Sequence, residues 1–134
     1  DATPPALTAS RRAFTVAVRN ALFRRVELAA RRDWSRLAEL DAPEEGGRSE
    51  GWSADEWSAA FAPYWAEHAT IGVDADARNP TWLEVHQTPT RWVVRQVLLD
   101  PDGDREWGID AEIDLAATDA AGEVVVRVTG VSRL

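Results

Sequence analysis

The spacing of apolar residues changes near residue 80, from a repeat of three or four residues to a strict alternation. The alternation is clearest where Trp107, Ile109 and Ala111 face one side and Asp110 and Glu112 face the other. Helical patterns that all precede strand patterns are typical of an α+β fold, because a parallel α/β sheet needs the two to alternate. The sequence therefore predicts an α+β fold with three N-terminal helices packed on a four-stranded antiparallel meander.

Length and composition agree with one domain. The chain has 134 residues, of which 45% are hydrophobic, and this is enough for one core. We expect a single domain over residues 1–134, with a flexible lead at 1–8, a helical part at 8–68 and the antiparallel sheet at 81–132. There is no cysteine, which excludes disulfides and thiolate metal sites. There is also no methionine, even at position 1, so we expect either a fragment of a longer protein or a processed chain.

The first helix is predicted from Thr8 to about Arg32, with Ser10 or Thr8 as its N-cap. Its apolar residues form two rows on different sides, so we expect it to lie between layers of the fold. Asp33 is a good N-cap for a short second helix, "WSRLAEL", and a polar loop, "PEEGGRSEG", follows.

A third helix begins where Ser53 and Glu56 fit a capping box. Pro63 lies inside it, which predicts a kink or a short second helix that begins there. Spacings of four, four and three residues place one row on a single face: Trp57, Phe61, Trp65 and His68. An aromatic row is more often core than ligand site. We expect it mainly to pack, while Tyr64 and His68 have polar ends that could face a cavity.

Four later segments have the alternation and the β-branched content of strands. They are residues 81–87, 91–99, 106–116 and 124–131. The connections "TPT", "DPDGD" and "TDAAGE" are short and rich in turn residues. Consecutive strands joined in this way form an antiparallel meander.

Tight turns would set a register that pairs opposite charges. A two-residue tip in the second turn places Arg95 opposite Asp110 and Arg91 opposite Asp114. A similar tip in the third turn would place Arg127 beside Asp114. The acidic row of the third strand is therefore expected to be a salt-bridged solvent face rather than a metal site.

The sequence does not determine which face of the first strand points toward the core. Leu83 and Val85 alternate with Glu84 and His86, and either pair could face the core. If the polar pair faces inward, it could join polar groups of the helices in a pocket that binds a polar ligand or moves a proton. The pocket candidates are Arg25, Tyr64, His68, Glu84, His86 and Gln96.

Motifs that carry well-defined chemistry are missing from the sequence. It has no glycine-rich phosphate loop, no HExxH, no GxSxG and no Cys/His ligand spacing. The segment "DPDGDRE" has acids at alternate positions, but Arg105 stands where a calcium loop needs glycine and Ala111 where it needs glutamate. We therefore expect a turn there, and we expect no catalytic residue, no metal and no cofactor.

The net charge of −8 opposes non-specific attraction to nucleic acid. The charge is uneven, since residues 11–36 carry eight arginines against Glu27 and Asp33. Pairs of these arginines seven residues apart point in three directions on a helix, so we do not expect a single patch. If this helix contacts nucleic acid or a neighbouring domain, the candidates are Arg24, Arg31 and Arg32.

The order of elements resembles the cone-shaped α+β fold of the ketosteroid-isomerase and nuclear-transport-factor-two class. The segment "ALFRRVELAARRDWSRLAELDAP" is similar in layout to the helix, polar turn and short helix that open that fold. No acid in this chain matches the general base of the isomerases. The resemblance therefore implies a cone-like α+β barrel with a curved four-stranded meander, and it does not imply the activity.

A second resemblance is more specific, and three segments carry it: "RNALFRRVELAARRDW", "PYWAEHATIGVDADARNP" and "RWVVRQVLLDPDGDREWGIDAEIDLAATDAAGEVVVRVTGV". They resemble the C-terminal domain of unknown function attached to DEAD/DEAH-box helicases of actinobacteria, from about residue 11 to 132. The resemblance implies a cytoplasmic, non-catalytic accessory domain. Such a domain would dock on the motor domains of the same polypeptide or position RNA or DNA.

Two other hypotheses belong to different classes. One is a small-molecule-binding or enzymatic cone, with the pocket described above between the helices and the sheet. The other is a dimerisation module that forms a homodimer through the outer face of the sheet. No apolar run approaches the roughly 18 residues of a membrane span, so we expect no membrane partner.

Overall fold

The computed structural model describes residues 6–40 and 51–134. Within them the helices are α1 (Arg11–Ala30), α2 (Trp34–Leu40), α3 (Ala54–Glu67) and α4 (Leu115–Ala121). The strands are β1 (Leu83–Gln87), β2 (Arg91–Val97), β3 (Trp107–Asp114) and β4 (Val126–Arg133), in one antiparallel sheet of order β1-β2-β3-β4. The predicted α+β fold is confirmed, but the sheet is open and does not close into a barrel. The predicted loop at 43–51 lies outside the described residues, apart from Gly51.

Both ends of α1 follow from local sequence. Ser10 is the N-cap, and its hydroxyl accepts from the Ala13 amide at 3.3 Å. At the other end Arg32 has a left-handed backbone with φ 55°. The amide of Asp33 donates to the Leu28 carbonyl at 2.9 Å. This pattern is a Schellman ending, which stops α1 and turns the chain into α2.

The N-terminal lead was predicted to be flexible up to residue 8, and its described part is attached. Leu7–Ala9 form a 3-10 helix. The Thr8 amide and hydroxyl both donate to the Asp119 carboxylate of α4, at 3.0 and 2.6 Å. These contacts hold residues 7–9 against the connection between β3 and β4.

α3 starts at the predicted capping box of Ser53 and Glu56 and ends at Glu67. Pro63 lies inside it, and the helix continues on both sides of that residue. A proline removes one amide donor, and a helix that is packed along its length can absorb that loss. The alternative of a second helix that begins at Pro63 is therefore wrong.

The aromatic row of α3 is part of the core. Trp57, Phe61 and Tyr64 have no exposed surface, whereas Trp65 is half-buried. The rings of Phe61 and Trp34 of α2 lie 5.6 Å apart between centroids. The row therefore packs as predicted, with Tyr64 rather than Trp65 in the buried position.

α1 contacts both α2 and the sheet. The ring of Phe14 lies 4.5 Å from that of Trp92 on β2. The prediction that α1 lies between layers holds only in part, because α3 also packs directly on the sheet, where the Trp107 indole N–H donates to Glu67. The buried apolar residues of α1 are Phe14, Val18, Leu22, Phe23, Val26, Leu28 and Ala29. A helix with buried residues on several sides adds to the core in two directions.

The register of β2 against β3 agrees with the prediction. Arg95 pairs with Asp110, and Arg91 pairs with Asp114. The predicted position of Arg127 beside Asp114 is wrong, because Arg127 pairs with Glu112.

The error comes from the connection between β3 and β4, which is not a tight turn. Residues 115–121 form α4, whose N-cap is Asp114 and whose C-cap is Gly122 with φ 74°. A register shift between Asp110 and Ala111 then changes the pairing by one residue along the rest of the two strands. Leu115 therefore begins a helix rather than ending the alternation of β3.

The inner face of β1 is apolar. Leu83 and Val85 are half-buried, and they lie opposite Gln96 and Val94 on the inner side of β2. Glu84 and His86 are exposed on the outer face of the sheet. Among the described residues, no helix combines the length and the apolarity that crossing a bilayer requires.

Candidate functional site

A polar cluster forms where α3 ends and the connection between β2 and β3 folds back on it. His68 Nδ1 lies 2.7 Å from Asp102 Oδ2 and 3.8 Å from Asp100 Oδ2, and its Nε2 lies 4.0 Å from Asp104 Oδ2. The side chains of His68 and Asp100 are 4% and 1% exposed, while those of Asp102 and Asp104 are 62% and 53% exposed. We call these four residues the His68 cluster. It has a buried floor and a solvent-facing rim.

Asp100 shapes the loop that carries the three acids. Its carboxylate accepts from the amides of Asp104 and Arg105 at 2.9 and 2.7 Å. The Arg105 guanidinium donates to the Asp100 carbonyl at 2.7 Å and lies over the ring of Trp82. Arg105 has φ 57° and Gly103 has φ 78°, so two left-handed residues close this turn.

The electrostatics of the cluster follow from burial beside several charges. Burial lowers the pKa of His68, but its hydrogen bond to Asp102 and the charges of the three carboxylates outweigh burial and raise that pKa. Burial raises the pKa of Asp100, but the amides that it accepts from outweigh burial and lower it. Burial and the charge of Asp100 raise the pKa of Tyr64 well above its ordinary range. The cluster can therefore hold a positive charge at the imidazole or beside it.

A second set of contacts fixes the end of α3 to the sheet. The Trp107 indole N–H donates to Glu67 Oε2 at 2.7 Å, and Arg133 of β4 donates to Glu67 Oε1 at 2.5 Å. Glu67 immediately precedes His68, so these bonds also restrain the imidazole. The Tyr64 hydroxyl, one turn earlier, donates to the Thr70 carbonyl at 2.5 Å. The floor of the His68 cluster is thus held by both layers of the fold.

The structure brings together only two of the six predicted pocket residues. The rings of Tyr64 and His68 lie 5.1 Å apart. Arg25 is buried in α1, where it donates to the Ala21 carbonyl at 2.8 Å. Gln96 is buried on the inner face of the sheet. The predicted meeting of His68 and Gln96 with the other two candidates is not formed, because Glu84 and His86 point outward.

Three acids and an arginine complete this site, and sequence reasoning placed none of them there: Asp100, Asp102, Asp104 and Arg105. The sequence "DPDGDR" was correctly predicted to turn, since the Gly103 amide donates to the Asp100 carbonyl. Alternate acids in that segment were the available signal. Their partner, His68, lies 34 residues from Asp102 in the sequence, and no local pattern connects them.

A second candidate surface is the outer side of α1. Arg12, Arg24 and Arg31 are exposed and Arg19 is half-exposed. At about 100° per residue, these four fall within a sector of about 140°, along about 28 Å of helix. We call them the α1 arginine face. Within the part of the chain that the structure describes, none of the four takes part in an ion pair.

The α1 arginine face covers two of the three predicted directions, because the third is occupied by other contacts. Arg25 is buried in the core. Arg32, a predicted nucleic-acid candidate, stacks on the Trp65 ring at 4.1 Å. The other two candidates, Arg24 and Arg31, remain on the exposed side, next to the direction of Arg12 and Arg19.

An open groove of about 680 Å³ lies elsewhere, between the ends of β2 and β3 and the start of α4. Its charged lining is balanced, because Glu112 pairs with Arg91 at 3.1 Å and also with Arg127. Its remaining lining includes Pro89, Thr90, Leu115 and Val125. This groove lies at the end of the sheet and is not the pocket that was predicted between helices and sheet.

Comparison with protein families matches residues 1–131 to a family described as a domain of unknown function (DUF3516). No curated protein and no solved structure gives a significant match. The family match covers nearly the whole chain, including both candidate surfaces. The chain therefore belongs to the DUF3516 family.

Proposed function

We propose that this chain is a non-catalytic accessory C-terminal domain of a cytoplasmic DEAD/DEAH-box helicase, and that it positions RNA or DNA beside the motor. The observation that carries the proposal is the α1 arginine face. Four arginines without ion pairs within the described residues lie on one side of a helix in a chain whose net charge is −8. A cationic strip on an acidic protein would attract a nucleic-acid strand at that strip, while the rest of the surface would repel it.

The chemistry of the face suits phosphate rather than a small ligand. A guanidinium presents several donors in a plane and pairs well with phosphate oxygens. A length of about 28 Å is long enough to follow several phosphates of one strand. Glu27 lies within the same sector and is half-exposed, so the face is cationic without being uniformly so. We therefore expect weak binding that depends on backbone charge and not on sequence.

The test is binding of labelled single-stranded RNA and DNA to this chain across a salt series. A single strand gives a slope of about −0.7 in log K against log salt for each neutralised phosphate, so four contacts give about −3. The double variant Arg24→Gln/Arg31→Gln should bind more weakly at low salt, with a slope shallower by about 1.4. A wild-type affinity that does not change with salt would overturn the proposal.

The matched control is Arg91→Gln/Arg127→Gln, which removes the same charge from the outer face of the sheet. Both arginines contact Glu112 there. Equal losses in the two double variants would show that net charge, and not the α1 arginine face, governs binding.

Docking on the motor domains of the same polypeptide is the alternative use of this face. It predicts that Arg24→Gln/Arg31→Gln leaves the nucleic-acid affinity of this chain unchanged and weakens its association with the separately produced motor. The mass of the chain in solution, measured in the same preparations, checks the homodimer hypothesis.

A further inference from the structure

We propose that His68, Asp100, Asp102 and Asp104 bind one divalent transition-metal ion, with Zn²⁺ as the probe. This inference is independent of the nucleic-acid proposal, because the α1 arginine face contributes no residue to it. It also departs from the expectation, drawn from the sequence, that the chain holds no metal.

The geometry of the cluster fits one ion. A single ligand atom from each of the four residues can be chosen so that all four lie within 4.8 Å of one another. Ligands on opposite sides of one ion are separated by about twice a bond length of roughly 2.0–2.4 Å. Asp102 and Asp104 are the exposed members, so small movements of two surface side chains would complete the coordination.

The imidazole presents one nitrogen to two of the three acids. His68 Nδ1 lies 2.7 Å from Asp102 Oδ2 and 3.8 Å from Asp100 Oδ2. The longer distance is not a hydrogen bond, but it matches the separation of two ligands on a common ion. Only one ring nitrogen can bind a given ion, and Nδ1 is the nitrogen that faces these two acids. An ion bound to Nδ1 would replace its contact with Asp102, and the ring proton would then be on Nε2.

The charges also leave room for a dication. When His68 is neutral, as a metal ligand must be, three carboxylates face the single cation Arg105. Two negative charges then remain beside the buried imidazole, on the exposed side chains of Asp102 and Asp104, and a divalent ion would cancel them.

The surroundings resemble those of ligating side chains in one further respect. Asp100 is oriented by the amides of Asp104 and Arg105, and metal-binding carboxylates are usually held by hydrogen bonds of this kind. One imidazole with carboxylates favours zinc or a similar transition metal over magnesium, which prefers oxygen ligands alone.

The experiment is a calorimetric titration of the whole untagged chain, freed of metal by a chelator, with ZnCl₂. We expect one equivalent of Zn²⁺ to bind and the thermal midpoint of unfolding to rise, because the ion binds the folded state. Asp104→Asn should weaken Zn²⁺ binding by about tenfold or more. Asp104 is the informative variant, since its exposed side chain makes no hydrogen bond within the described residues and its loss should leave the fold intact.

The control is His86→Asn, which removes the other histidine from the outer face of β1. It should bind Zn²⁺ as the wild type does. The proposal would be overturned if the wild type did not bind Zn²⁺ stoichiometrically. It would also be overturned if Asp104→Asn bound Zn²⁺ as tightly as the wild type, or if only His86→Asn lost Zn²⁺ binding. Equal affinity for Mg²⁺ would overturn the assignment to a transition metal.

Discussion

The guanidinium group of Arg95 on β2 lies against the bare Cα of Gly108 on β3. A Cβ at position 108 would stand 2.8 Å from both Nε and Cζ of Arg95. The arginine is not free to move away, because it donates to the Asp110 carboxylate, to the Glu106 carbonyl and to two oxygens of Ser132, each at 2.9 Å. The absence of a side chain at Gly108 therefore allows one arginine to join β2, β3 and β4.

Gly108→Ala should destabilise the fold for this reason. The new methyl group forces the guanidinium out of its place, and overpacking of this kind costs about 1–3 kcal/mol. Urea unfolding measures the loss. Gly130→Ala is the matched control, because its Cβ would lie 3.9 Å from the nearest atom, at ordinary contact distance. Equal stability of the two variants would contradict the close packing of Arg95 on Gly108.

Tyr64 should resist deprotonation in the folded protein. It is the only tyrosine of the chain, so near-ultraviolet absorbance of tyrosinate reports on it alone. Burial and the charge of Asp100 raise its pKa, and the folded state therefore favours the neutral phenol. The stability gained is present below about pH 10, the ordinary tyrosine pKa, and is lost as the pH rises toward the folded value.

We expect tyrosinate to appear in the native protein only above about pH 10 and together with alkaline unfolding, whereas protein in urea should titrate near pH 10. A midpoint near pH 10 in the folded protein would show that the Tyr64 hydroxyl reaches solvent. Tyr64→Phe removes the hydrogen bond to Thr70 and should cost about 1 kcal/mol at neutral pH.

The contact of Thr8 with Asp119 should make the N-terminal lead sensitive to acid. Both hydrogen bonds from Thr8 favour the charged carboxylate and lower the pKa of Asp119. Their contribution is present above about pH 4, the ordinary value of an aspartate, and is lost as the pH falls through the lowered value. A carbon-detected NMR titration of the Asp119 carboxyl should therefore give a midpoint pH below the ordinary pKa of an aspartate.

In Thr8→Val the hydroxyl donor is lost and the amide donor stays, so the Asp119 midpoint should rise part of the way toward its ordinary value. Thr90→Val, a change of the same kind in the connection between β1 and β2, should not move it. An Asp119 midpoint that is equal in wild type and Thr8→Val would mean that the lead is detached in solution.

Trp57→Ala should be among the most damaging core changes. Trp57 has no exposed surface. The centroid of its ring lies 4.9 Å from that of Trp52 and 6.3 Å from that of Phe61. Removal of a fully buried tryptophan costs about 3–5 kcal/mol, which is a large part of the stability of a small domain. Trp52→Ala, at a half-buried position, should cost clearly less in the same denaturation experiment. Similar losses would contradict the central place of Trp57.

Local signals explain how much of the fold could be predicted from the sequence. The change of apolar period, the Ser53 capping box and the turn at Gly103 are each encoded within a few residues, and all three appear in the structure. α4 was missed although Asp114 and Gly122 are good helix caps. Leu115 continues the apolar alternation of β3, so the sequence predicted a longer strand there instead of a short alanine-rich helix.

The candidate surfaces depended on contacts that have no local signal. His68 was predicted as a residue whose polar end could face a cavity, but its acidic partners come from a loop that only the sheet register brings close. Glu84 and His86 were chosen because β1 has two possible inner faces. The pairing of Leu83 with Gln96 decides that choice, and pairing is a tertiary property.

The shape of β4 has a consequence for how copies of this protein behave at high concentration. An open sheet exposes the unpaired backbone of its outer strands, and a flat outer strand can recruit another chain. β4 lies at one side of the sheet and carries the register shift opposite Asp110 and Ala111, which increases strand twist. It also bears Arg127 and Arg133, both exposed. Twist and charge together make this strand a poor template for fibrous aggregation.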